Sequence, residues 1–139
     1  MVRPVRRVLL VIRDSRLRLG VAALLREAGI ETVDCAGVAV LGAVAARTPG
    51  EVALLDWTVA EGLLAEEHRP GLRALGRLVP IVLLVPRRWC GLLDPADLGV
   101  VLLAKPFDAE TLLAALRSAG GHAEPPPTSL LVSPAGRPS

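Results

Sequence analysis

Charged side chains stand directly after three short apolar runs of the 139-residue chain, and these are Arg13 with Asp14, Asp56, and Lys105. In an open parallel sheet, functional groups gather at the carboxyl ends of the central strands. An aspartate and a lysine that reach this edge from separate strands form a charge pair in a cleft, with Arg13 as the other nearby cation. Asp56 and Lys105 are therefore the first candidates for a functional site.

Lys105 differs in type from every other basic residue of the chain. Of the 16 basic residues, 15 are arginine and Lys105 is the one lysine. Lysine is a compact point charge on a flexible stem, and arginine is not its equivalent. The single lysine at position 105 supports a specific role there. The alternative is that Lys105 is an ordinary residue of a turn.

The elements that must position these side chains follow from the periodicity of apolar residues. Apolar runs of strand length alternate with helical stretches, which predicts a parallel sheet with helices on both faces. The predicted strands are 8–12, 30–35, 52–55, 81–85 and 100–103. The predicted helices are 15–28, 38–47, 58–78 with a break at Pro70-Gly71, a short one interrupted by Pro95 after an Arg87-Arg88 loop, and a last one after Asp108. Ser15 and Asp108 are the predicted caps of the first and last helices. The fold class is α/β, a flavodoxin-like (βα)5 doubly wound sheet of five parallel strands.

The chain length suits one domain. We expect an N-terminal extension at 1–6, the domain at 7–119, and a tail at 120–139 whose Gly, Pro and Ser content is typical of a linker.

Composition excludes several functional classes. The chain is 52% hydrophobic, yet it has no uncharged stretch of the roughly 20 residues that a membrane helix needs. Its pattern at 6–14 is not that of a signal peptide, and two cysteines fit a reduced compartment, so we expect a cytoplasmic protein. A net charge of +2 gives little attraction to nucleic acid. No phosphate-binding glycine loop or nucleophile elbow is present, so no enzyme activity is expected.

The segments around the candidate site carry a family resemblance. LLDW at 54–57, VPIVLLV at 79–85 and AKPFD at 104–108 resemble the receiver domain of bacterial two-component response regulators, over residues 7–119. The resemblance implies that Asp56 is the phosphoacceptor and that Lys105 holds a phosphoryl oxygen. It also implies a cis peptide bond before Pro106.

Four positions depart from the receiver pattern. Ile12 and Arg13 stand where receivers place two acidic residues that hold Mg²⁺, Val85 stands where a hydroxyl is expected, and Leu102 replaces the switch aromatic. Mg²⁺ requires oxygen ligands, so we expect weak or no binding and no other cofactor. Without the metal, self-phosphorylation should be slow or absent.

The cleft around Asp56 has six predicted lining residues, namely Arg13, Asp14, Thr58, Val85, Lys105 and Pro106. One hypothesis is that the Arg13 guanidinium reaches Asp56, takes the place of the metal and locks the aspartate in one state. The alternative is that Arg13 is a residue of the cleft rim with no unique partner.

Three functional hypotheses remain open. The first is an atypical receiver that works without conventional phosphorylation, regulates transcription through an output domain or partner, and answers to a partner or small ligand. The second is a receiver whose Asp56 is phosphorylated by a cognate histidine kinase, with weak metal assistance from Asp14 and backbone carbonyls. The third is a stand-alone adaptor with a vestigial cleft.

The expected partners are proteins, including a second copy of this chain. They are expected to bind the face formed by the fourth helix, the fifth strand and the last helix, where the predicted interaction surface is Leu102, Leu112 and Leu116. No direct nucleic-acid binding and no membrane contact are expected of this segment.

Overall fold

The computed structural model describes residues 5–47, 51–56 and 69–123. Its strands are β1 (Arg7–Val11), β2 (Glu31–Asp34), β3 (Val52–Asp56), β4 (Ile81–Pro86) and β5 (Val101–Lys105). Its helices are α1 (Ser15–Glu27), α2 (Val38–Arg47), α3 (Arg69–Leu78), α4 (Arg87–Cys90), α5 (Pro95–Leu98) and α6 (Ala109–Ala123). The predicted α/β fold class is confirmed. The predicted helical stretch 58–68 lies outside the described residues.

All strand pairs in the sheet are parallel, and the strand order is β2-β1-β3-β4-β5. β3 is the central strand, and every one of its residues is buried. Asp56 at its end lies opposite Leu84 of β4, while Pro86 lies opposite Lys105 of β5. The register therefore brings the ends of β3 and β5 to the same edge, one on each side of β4.

Each strand sends alternate side chains to opposite faces of the sheet, and this divides the core in two. One buried cluster contains Leu9, Val11 and Leu55, and the other contains Val8, Leu10 and Leu54. The first cluster also includes residues of α2, α3 and α5, and the second includes residues of α1 and α6. A sheet covered on both faces explains why its strands are continuous apolar runs.

The helix caps correct one prediction and confirm another. Asp14, rather than Ser15, caps α1, because its carboxylate accepts hydrogen bonds from the backbone N–H groups of Arg16 at 2.9 Å and Leu17 at 3.2 Å. Asp108 caps α6 as predicted, since it accepts from the backbone N–H of Thr111 at 2.8 Å. The predicted Arg87-Arg88 loop is instead the short helix α4.

Packed residues continue on both sides of the predicted domain 7–119. Val5 is partly buried and packs against the second core cluster, and α6 continues to Ala123. Gly120 is buried, and a Cβ atom added to it would lie 3.0 Å from Cγ2 of Val5 and 3.3 Å from Cγ2 of Val52. The apolar contact between these two ends of the chain is not visible in the local composition, on which the predicted bounds rest. No helix in the described part of the chain is long and apolar enough to cross a membrane.

Candidate functional site

An ion pair between Asp56 and Lys105 forms the centre of the site. Lys105 Nζ donates to Asp56 Oδ1 at 2.8 Å. The Asp56 side chain is only 3% exposed, and the Lys105 side chain is 28% exposed. Asp56 is the one charged residue buried in the described part of the chain. A buried carboxylate is costly unless it is paired, so the contact with the ammonium explains how β3 can end on an acid.

Arg13 does not make the predicted contact with Asp56. Arg13 is exposed, and the contacts of the described residues include no hydrogen bond or ion pair between the two side chains. It lies instead on the wall of a cavity of about 360 Å³ beside Arg18 and Cys35. The hypothesis that Arg13 locks Asp56 is therefore not supported by the geometry, and Lys105 is the cation that pairs with the aspartate.

The end of β1 offers few oxygen ligands for a metal. The side chain of Ile12 is buried and aliphatic, and its backbone carbonyl accepts a hydrogen bond from Arg18 Nη1 at 3.1 Å. The Asp14 carboxylate is used as the cap of α1. No group of three or more His, Cys, Asp or Glu residues that could hold a metal occurs among residues 5–47, 51–56 and 69–123. Mg²⁺ takes carboxylate, carbonyl and water oxygens, so this set of donors does not fit it.

Solved structures with the same architecture place this geometry in a known fold. The chain matches full-length FixJ from B. japonicum with a TM-score of 0.67 and 22% identity, over 88% of this chain and 61% of that one. It matches the receiver domain of a sensor histidine kinase from Pseudomonas aeruginosa with a TM-score of 0.65 and 24% identity, over 84% and 98% of the two chains. The chemotaxis protein CheY4 of Vibrio cholerae matches with a TM-score of 0.58 and 24% identity, over 83% and 98%.

The chain has the receiver-domain fold. It spans about three fifths of the length of full-length FixJ. The P. aeruginosa receiver holds a magnesium ion in its active-site cleft. The sequence matches no protein-family model and no curated protein.

Of the remaining predicted site residues, Val85 lies in the core and Pro106 lies at the surface. Val85 is completely buried in the first core cluster, so it contributes packing and no polar group to the site. Pro106 is exposed and follows a cis peptide bond, as the resemblance implies. Thr58 lies outside the described residues.

The predicted interaction surface needs correction at two of its three residues. Leu112 and Leu116 are 0% and 1% exposed and belong to the second core cluster, so they cannot contact a partner. Leu102 is half-buried and packs against the first cluster. The apolar face of α6 covers the sheet, and leucines spaced along a helix do not by themselves show whether they face a core or a partner.

A groove beside the ion pair was not predicted from the sequence. It encloses about 650 Å³ between α1, the start of α4 and the segment that follows β5, and Lys105 is part of its wall. Arg16, Gly20 and Leu24 line it from α1. Their spacing of four residues places them on one face of a helix, and this pattern in the sequence could have indicated the groove wall.

Proposed function

We propose that this chain is a regulatory receiver module of two-component signal transduction that works without conventional Mg²⁺-dependent phosphorylation of Asp56. The observation that carries the proposal is the 2.8 Å pair of Asp56 and Lys105 at an edge where Ile12 and Arg13 replace the expected acids. In a receiver site, the aspartate accepts the phosphoryl group and the lysine holds one of its oxygens. The missing acids are the part that would bind the metal.

The chemistry of phosphoryl transfer supports this division. Such transfer depends almost entirely on positioning and on neutralising the charge that develops on the phosphoryl oxygens. Lys105 supplies one positive charge to Asp56, whereas the exposed Arg13 forms no ion pair with it in the described part of the chain. An aliphatic side chain and a guanidinium group carry no oxygen atom and so supply no side-chain ligand for Mg²⁺. Self-phosphorylation by a small phosphodonor is therefore expected to be slow or absent.

A second candidate retains the chemistry, and the ion pair itself favours it. A cognate histidine kinase could bring its own positioning groups, and Lys105 is already within hydrogen-bond distance of the Asp56 carboxylate. The two candidates differ in whether Asp56 ever carries a phosphoryl group.

The proposal includes protein partners and excludes an enzymatic role of this chain. The chain covers 61% of the length of full-length FixJ, which leaves room for a further domain in a protein of that size. The proposal therefore includes regulation of transcription through an output domain or a separate partner. For self-association, the exposed apolar side chains of Trp89 and Leu92 lie in the segment just before α5, which is the predicted fourth helix of the expected face. Leu112 and Leu116 have no part in it.

The experiment that tests the proposal is exposure of the chain to acetyl phosphate with Mg²⁺, followed by a Phos-tag gel. We expect no shifted band, and the Asp56→Asn variant serves as the blank. Efficient labelling of the native chain that disappears in Asp56→Asn would overturn the proposal. Repeating the assay with a phosphorylated histidine kinase separates the second candidate, which requires transfer in that arm alone.

A further inference from the structure

The groove beside Lys105 has an apolar floor. Leu17, Val21 and Leu24 of α1 line one side, and Phe107 lines the other. Most of these side chains are buried or half-buried in the second core cluster, so the floor is held in place by the packing of the domain. Its volume of about 650 Å³ lies within the range of pockets that bind small organic molecules.

The rim of the same groove is positively charged. Arg16, Arg87 and Arg88 are exposed and line it together with Lys105. No acidic residue occurs among the described lining residues, and none of the three guanidinium groups forms an ion pair with another described residue. Uncompensated guanidinium groups can bind carboxylate, sulfonate or phosphate oxygens in a bidentate manner.

We propose that this groove is a binding site for a small amphipathic anion, with an acidic headgroup attached to an aromatic or alicyclic body. The body would lie on the Leu17, Val21 and Phe107 floor, and the headgroup would contact Arg16 and Arg87. Both parts of this ligand are needed, because the lining combines an apolar surface with an excess of positive charge. The inference goes beyond the proposed function, since it requires no phosphoryl group on Asp56.

Lys105 connects the groove to the buried aspartate. Its side chain lines the groove and also donates to Asp56 at 2.8 Å. A negatively charged headgroup at the rim is attracted by the same Lys105 ammonium group as the Asp56 carboxylate. Ligand binding and the Asp56–Lys105 pair therefore affect each other. A ligand could thus influence this site in the absence of a metal.

The test uses two probes that differ in their charge. 8-Anilinonaphthalene-1-sulfonate is an amphipathic anion, and N-phenyl-1-naphthylamine is the same body without the sulfonate. Each is titrated into the full chain and followed by fluorescence and by ¹H–¹⁵N correlation spectra. We expect saturable binding of the sulfonate at one site, about tenfold tighter than the neutral probe, with shifts confined to residues around the groove. Equal affinity for both probes, or shifts elsewhere, would overturn the proposal.

Matched variants locate the site. A Cβ atom on Gly20 would meet nothing within 4 Å, so Gly20→Leu fills the groove without a clash of its Cβ, and Gly42→Leu on α2 is its control. We expect Gly20→Leu and Arg87→Gln each to weaken sulfonate binding by about tenfold. Gly42→Leu and Arg77→Gln, which lie outside the groove, should leave it unchanged. The proposal fails if the two groove variants bind like the native chain while their ¹H–¹⁵N spectra show a native fold.

Discussion

Lys105 Nζ lies 2.8 Å from Oδ1 of Asp56, although β4 separates the strands that carry the two residues. The contact is possible because the side chain of lysine is long enough to pass across the end of β4. It gives the buried carboxylate of the central strand a positive partner at the open edge of the sheet. We therefore expect the pair to contribute to the stability of the fold as well as to the candidate site.

Removal of the ammonium should destabilise the chain. Lys105→Met keeps much of the aliphatic stem but leaves the Asp56 carboxylate without its cation, and we expect the free energy of unfolding to fall by about 3 kcal/mol. Urea unfolding followed by circular dichroism measures this change. In the Lys105→Met background, Asp56→Asn should restore about 1 kcal/mol or more, because the buried charge is gone. A loss below about 0.5 kcal/mol in the single variant would mean that the pair is not stabilising.

The position of this pair could be predicted from the sequence, and the physical reason is simple. Asp56 and Lys105 each end a continuous apolar run, and parallel strands bring such ends to one edge. The hypothesis of a lock by Arg13 rested on β1 ending at the same edge, but the direction of a long exposed side chain is not fixed by the strand that precedes it. Of the two cations, Lys105 is the one that forms the ion pair with Asp56.

Other features could not be predicted because they depend on packing between distant segments. Leu112 and Leu116 have the spacing of an apolar helix face, and this spacing is the same for a core and for a partner surface. The contact of Gly120 with Val5 joins the two ends of the domain across 115 positions of sequence. The groove similarly combines α1 with the segments after β4 and β5.

The choice between Asp14 and Ser15 as the cap of α1 leads to a second prediction. Asp14→Ala removes the acceptor for the N–H groups of Arg16 and Leu17, so it should lower the free energy of unfolding by about 1 kcal/mol. Ser15→Ala is the matched control, and we expect a change within about 0.5 kcal/mol because Ser15 is the first residue of the helix. Urea unfolding of the two variants decides between them, and a larger loss in Ser15→Ala would contradict the assignment of the cap.

A third prediction concerns the metal. If the missing acids are what prevents Mg²⁺ binding, Arg13→Asp should add an oxygen ligand near the end of β1 and remove a positive charge. We expect isothermal titration calorimetry to show Mg²⁺ binding at least about tenfold tighter than in the native chain. Arg117→Asp on α6 makes the same change of net charge away from the site and should leave Mg²⁺ binding unchanged. Equal gains in both variants would indicate a general effect of charge.

Asp108 makes the stability of the chain depend on pH. Hydrogen bonds from the Thr111 hydroxyl and backbone N–H lower the pKa of the Asp108 carboxyl from its usual value of 3.8. Because the folded pKa lies below the unfolded one, the stabilising contribution is complete above about pH 4 and is lost as the pH falls through the folded value. Asp108→Asn keeps an oxygen acceptor and cannot titrate. Its unfolding free energy should therefore fall less steeply than that of the native chain on acidification, as measured by urea unfolding at a series of pH values. Parallel curves would contradict the assignment.

Two helical glycines with different surroundings provide the last prediction. Alanine has a higher helix propensity than glycine by about 1 kcal/mol, and a Cβ atom on Gly42 would meet nothing within 4 Å. Gly42→Ala should therefore raise the free energy of unfolding by about 0.5 to 1 kcal/mol.

A Cβ atom on Gly120 would lie 3.0 Å from Val5 and 3.3 Å from Val52, and Val52 is completely buried and cannot easily move. Overpacking of this kind costs about 1 to 3 kcal/mol, so Gly120→Ala should show no gain or a loss. Thermal and urea unfolding of both variants test the difference, and an equal gain at both positions would mean that Val5 and Val52 can move enough to accommodate the added methyl group.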